Sequence, residues 1–171
     1  MTESKTAHGG ERRSLYSVAQ IQHLLRVEFH RAQRYRFPIA VLVVSVDQLG
    51  HVRDRLGYDA KEQVLEAVVH LLQRGTRSSD FLGRTADDRL LVVLPHTGAA
   101  GMPVLAGRLS ADADTLVAHG LPDVGRISLS VGWAASDSTP AAYHDALLSA
   151  AEAAHADAVA RGADGRRAAR S

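Results

Sequence analysis

RFPIAVLVVSVDQLG, residues 36–50, is the stretch from which the fold is read. Within it, Ile39 to Val46 form an apolar run interrupted only by Ser45. A membrane-spanning helix takes about 20 apolar residues, so this run is too short to cross a bilayer. A strand that is apolar throughout, without alternation, is buried on both faces. Val41 and Val43 are expected on one face and Leu42 and Val44 on the other. Such a strand needs cover on both sides, and the flanking sequence supplies candidates.

Upstream, Ile21, Leu24, Leu25, Phe29 and Ala32 recur at three- and four-residue steps, predicting a helix over 15–36 that Pro38 closes. Downstream, Val64, Leu65, Val68, Val69 and Leu72 predict a helix over 59–73. Two strands follow, at 81–85 and 90–94, joined by the polar turn Ala86-Asp87-Asp88. Met102, Leu105 and Leu109 then predict a helix over about 99–117. RISLSVGWA (126–134) alternates like a strand, and an alanine-rich helix is expected over 141–161, with Pro140 near its start. The order describes an α/β fold with a mixed sheet flanked by helices.

Composition narrows the function. The 171 residues suit one domain with a full core, taken as 14–165, with a disordered arm at 1–13 and a flexible tail at 166–171. Neither end is long enough for a second domain, so any output is expected to pass by contact with another protein. A net charge of +1 gives no global field to recruit nucleic acid or an anionic membrane. There is no cysteine, which excludes disulfides and thiolate chemistry. The N-terminal MTESKTAHGGERR has no apolar signal core, so a cytoplasmic protein is expected. The nine histidines show no H-x-x-x-H pair, and no metal or other cofactor is expected. The arginines of the first helix, with no aromatic platform beside them, read as a solvated face and not as a nucleic-acid surface.

Several landmarks, taken in order, resemble the GGDEF family, the diguanylate cyclase fold. They are Glu28-x-x-Arg31-Ala32-x-Arg34 before the strand, Val46-Asp47 with Gly57 and Val64-Leu65 after it, Arg84 with Pro95 framing the hairpin, and Ser128-Leu-Ser130-Val-Gly132 in the late strand. The resemblance implies the nucleotidyl-cyclase-like fold over nearly the whole chain. Active members condense two GTP molecules into cyclic di-GMP with two Mg²⁺ ions. Here the signature hairpin reads Ala86-Asp87-Asp88-Arg89-Leu90. Asp88 keeps one carboxylate, Arg89 stands where a glutamate is usual, and Ser45 stands where the family's metal-binding aspartate ends the first strand. Mg²⁺ demands an octahedron of hard oxygens, and one carboxylate with a neutral hydroxyl supplies that poorly. Arg53 and Glu62 match the guanine-reading positions; Glu62 is able to accept from a guanine edge and Arg53 is not. The family's phosphate-binding lysine has no counterpart in AAHADAVARG, where Arg161 lies off register. No catalytic residue is therefore assigned.

One functional element matches the family pattern. Its product-binding Arg-x-x-Asp motif reads Arg77-Ser78-Ser79-Asp80, and Arg108 matches a further arginine that often completes that site. The resemblance implies a cyclic di-GMP receptor, possible homodimerisation, and an unidentified protein partner. The bland reading makes Arg77 and Asp80 a surface ion pair worth less than about 1 kcal/mol. Two further alternatives are a nucleotide-independent interaction scaffold and an active cyclase with unusual ligands.

Overall fold

In the computed structural model, the described residues are 14–116, 124–139 and 141–168, with side chains described as far as 162. The expected arm at 1–13 lies outside them, as do residues 117–119. The tail expected from residue 166 is partly helical backbone, since the last helix runs to Ala168.

Five strands form one mixed sheet in the order β1-β3-β4-β2-β5. They are β1 (Leu15–Tyr16), β2 (Ile39–Val46), β3 (Phe81–Arg84), β4 (Leu90–Pro95) and β5 (Leu129–Ala135). Among the described residues, only β1 and β3 run parallel; every other pair is antiparallel. The helices are α1 (Val18–Tyr35), α2 (Leu49–Leu56), α3 (Tyr58–Gly75), α4 (Met102–Asp114) and α5 (His144–Ala168). This is the expected α/β class, a mixed sheet with helices on both faces.

The apolar run behaves as its composition requires. Ile39, Val41 and Val43 pack with Ile21, Leu25 and Phe29 of α1 and Leu147 and Ala151 of α5. Ala40, Leu42, Val44 and Val46 pack on the other face, against α3 and α4. A period of two sends alternate side chains to opposite faces, so β2 joins both cores. Its two neighbours, β4 and β5, satisfy its backbone on either side.

Local chemistry moves several boundaries. The first helix begins at Val18, not Leu15, because Ser17 caps it: its hydroxyl accepts from the Gln20 amide, and the Gln20 side chain accepts from the Ser17 amide. Leu15 and Tyr16 instead pair with Leu82 and Gly83. A Cβ on Gly83 would lie 2.6 Å from the Ile21 Cβ, so this glycine sets how closely α1 lies on the sheet. Sequence periodicity does not predict α2, which has no buried residue of its own. The fourth helix begins at Met102 with Pro103 in its first turn, and 98–101 form a turn. The last strand starts at Leu129, so Arg126–Ser128 precede it, and α5 starts at His144.

Candidate functional site

The end of α3, the turn that follows it, and α4 enclose an open cavity of about 990 Å³. Arg77, Asp80 and Arg108 all line it, so the three expected site residues share one concavity. The turn itself is built by Asp80. Its Oδ2 accepts from the Arg77 backbone N–H at 2.8 Å, and its own N–H donates to the Arg77 carbonyl at 3.1 Å. Asp80 is 5% exposed, so its carboxylate is a structural part of the turn. Asp80 thus meets Arg77 through the backbone. Among the described residues, no hydrogen bond or ion pair engages the Arg77 guanidinium, which is exposed beside the cavity. Across the opening, Arg108 Nη2 donates to the Gly75 carbonyl at 2.6 Å, at the last turn of α3. A carbonyl is a neutral partner, and among the described residues no ion pair engages the Arg108 guanidinium.

A second constellation surrounds the β3–β4 hairpin. Asp88 sits at its tip with φ +62°, a conformation that Asp tolerates better than most residues. Both of its oxygens are taken: Oδ2 by Lys61 Nζ at 2.8 Å, and Oδ1 by Arg84 Nε at 3.1 Å. Arg84 also forks onto Glu62, with both N···O distances at 2.8 Å. Lys61 approaches Glu62 at 3.3 Å and lies 4.7 Å from the centre of the Tyr58 ring. The hydrogen bonds from Arg84 hold the Glu62 carboxyl well below its ordinary range, at about 2. Burial opposes the Asp88 charge, but Lys61 and Arg84 outweigh it and keep that carboxyl below its usual range too. The Asp88 hydrogen bond raises the Lys61 ammonium in turn. Two cations and two carboxylates thus satisfy one another.

Ser45, at the end of β2, meets α5. Its Oγ is 2.7 Å from His155 Nε2, across 110 residues of sequence. This contact depends on a glycine. A Cβ on Gly132 of β5 would lie 2.0 Å from the His155 backbone nitrogen, so only glycine lets α5 approach this closely. Burial, with Arg89 nearby, lowers the His155 pKa and favours its neutral form. Arg89 does not face Asp88. It pairs with Asp87 at 2.7 Å and reaches Glu152 at 3.8 Å. The cations against Asp88 are Lys61 and Arg84. Asp47 is held by the Ser128 and Ser130 hydroxyls at 2.7 and 2.6 Å, and Arg53 is exposed and bonded to Asp54. Among the described residues, no group of three or more His, Asp or Glu is placed to hold a metal ion. The Mg²⁺ ions that active members use do not fit here: Ser45 is engaged by a neutral imidazole, and both Asp88 oxygens are engaged by fixed cations.

Sequence reasoning missed Lys61, Arg84 and His155 as parts of these clusters. Lys61 and Asp88 lie 27 residues apart on different elements, and no spacing rule links them.

Residues 14–164 match the family described as the diguanylate cyclase GGDEF domain, and the chain belongs to that family. It is 26% identical over 136 residues to the probable diguanylate cyclase DgcC of Escherichia coli K12, a match covering 80% of this chain and 36% of DgcC. The chain therefore spans about a third of the length of that relative. Among solved structures, it resembles the GGDEF domain of YfiN (TpbB) from Pseudomonas aeruginosa with 26% identity and a TM-score of 0.80, over 88% of this chain and 93% of that one. The GGDEF domain of DgcB from Caulobacter crescentus, solved in complex with c-di-GMP, shares the fold at 18% identity and TM-score 0.79, over 86% and 85% of the two chains. SiaD from Pseudomonas aeruginosa, solved with its activator SiaC, shares it at 24% identity and TM-score 0.79, over 86% and 56%. Among the described residues, no helix is long and apolar enough to cross a membrane.

Proposed function

We propose that this chain is a degenerate GGDEF domain, spanning 14–165, that makes no cyclic di-GMP and binds it through Arg77, Asp80 and Arg108. The observation that carries the binding reading is the turn in which Asp80 accepts from the Arg77 backbone. It anchors the motif while, among the described residues, nothing engages the guanidinium beside the cavity. A guanidinium fork suits guanine O6 and N7 or a phosphate, in bidentate fashion. Arg108 needs only to exchange a neutral carbonyl for a phosphate oxygen, a charge-assisted bond about twice as strong.

Loss of catalysis is supported by how the former chemical positions are spent. Phosphoryl transfer of this kind relies on metal ions to neutralise the phosphates and activate the attacking hydroxyl. Asp88 is closed by Lys61 and Arg84, Ser45 by His155, and Glu62, at the guanine-reading position, by a bidentate arginine. Binding of c-di-GMP by DgcB is stated for that protein and extended here as part of this proposal. A cytoplasmic location, a homodimer and a protein partner, as SiaC is to SiaD, belong to the same reading. Incubation with GTP and Mg²⁺ or Mn²⁺ tests the first half: cyclic di-GMP above a no-protein control would refute it. Calorimetric titration with cyclic di-GMP tests the second, and no heat up to hundreds of micromolar would favour the scaffold reading.

A further inference from the structure

We infer that Arg74 is a further ligand-binding residue of the same cavity, giving it a third guanidinium that selects ligands with at least two anionic groups. This rests on the reading of the cavity as a nucleotide site. Arg74 lies outside the Arg77-Ser78-Ser79-Asp80 motif, in the last turn of α3, and it lines the cavity with Arg77 and Arg108. The helix ends at Gly75, and Thr76 turns extended, with φ −119° and ψ 165°. Arg74 therefore approaches the cavity from the helix, and Arg77 from the turn beyond it.

The charges around this cavity do not cancel. Among the described residues, three arginines line it against two carboxylates, Asp80 and Asp112. Asp80 is buried and committed to the turn, and Asp112 is exposed on α4. Among the described residues, Arg74 and Arg77 have no hydrogen-bond or ion-pair partner for their guanidinium groups, and Arg108 has a carbonyl. An arginine in the last turn of a helix has a bland explanation, since it complements the helix dipole by about 0.3–1 kcal/mol. That role predicts a change in stability and none in binding.

A cyclic dinucleotide carries two phosphates and two bases. With Arg77 on a guanine edge or one phosphate and Arg108 on the opposite wall, Arg74 is available for the remaining anionic group. A volume of about 990 Å³ sits at the upper end of small-ligand sites, and leaves room for a ligand of that size.

The test is calorimetric titration of the full chain with cyclic di-GMP, at low and at physiological salt. Arg74→Ala and Arg74→Gln are compared with wild type, and guanosine 5′-monophosphate is a second probe. Expected are a loss of affinity of about tenfold in both variants with unchanged Tm, a flatter salt dependence, and far weaker binding of the mononucleotide by wild type. If Arg77→Ala weakens binding while both Arg74 variants bind as wild type, this inference is overturned and the cavity reading stands. If the Arg74 variants lose Tm and keep affinity, the residue serves the helix end only. Absence of wild-type binding overturns the cavity reading, and this inference with it.

Discussion

Replacing Glu62 by glutamine tests whether the charges around the hairpin contribute to stability in the way their geometry implies. Glu62 receives both terminal nitrogens of Arg84 at 2.8 Å, and its carboxyl is lowered from the ordinary 4.5 to about 2. That drop corresponds to about 3 kcal/mol of preference for the charged form in the folded state. Both side chains are 30% exposed, so solvent screening reduces the contribution to about 1–2 kcal/mol. For a domain of this size, 1 kcal/mol moves Tm by about 2–4 °C, so Glu62→Gln should melt about 2–8 °C lower at pH 7. A depressed carboxylate stabilises the fold fully above its unfolded pKa, near 4.5, and loses that contribution as the pH falls toward 2. The Tm deficit of the variant should therefore be constant from pH 7 to about 5 and shrink steadily below it. Circular-dichroism melts of both proteins across this range provide the measurement. Equal melting temperatures at pH 7, or a deficit that persists undiminished at pH 3, would refute the assignment.

Arg89→Glu alone should leave the chain without cyclase activity, because Ser45 stays bonded to His155 and Asp88 to Lys61; turnover of GTP by that variant would show the site misjudged. Val43→Asp places a carboxylate among Ile21, Leu25 and Leu147 without a partner and should abolish cooperative folding; a wild-type Tm would contradict the placement of β2. Gly132→Val should destabilise the domain by more than about 3 kcal/mol, since its Cβ meets α5 backbone that cannot yield. Urea denaturation measures that loss, and a midpoint within error of wild type would contradict the close approach of α5 to β5.

Much of the architecture was legible because burial leaves a period. The apolar run of β2, broken only at Ser45, could be satisfied only with cover on both faces, and the stripes of α1 and α3 supplied it. Elements with little burial left no such trace. Leu15 and Tyr16 form a two-residue strand that reads as the first turn of the helix behind it until Ser17 is recognised as a cap. The short α2 fully buries no residue and packs only Leu49 and Val52 partly against the core, so no stripe marks it. The site divides in the same way. Arg77 and Asp80 are three residues apart and visible together as a motif. The partners that occupy the hairpin and Ser45 are brought together only by the fold, as Ser45 and His155 show across 110 residues.

Titration of the purified chain with cyclic di-GMP, beside the Arg77→Ala variant, measures the central claim most directly. Wild type should bind at micromolar levels. The variant should lose at least about 2 kcal/mol of binding, roughly thirtyfold, because a charged bidentate partner is removed from an otherwise intact turn that Asp80 holds through the backbone. Wild-type affinity retained in Arg77→Ala, or no wild-type binding at hundreds of micromolar ligand, would contradict the account.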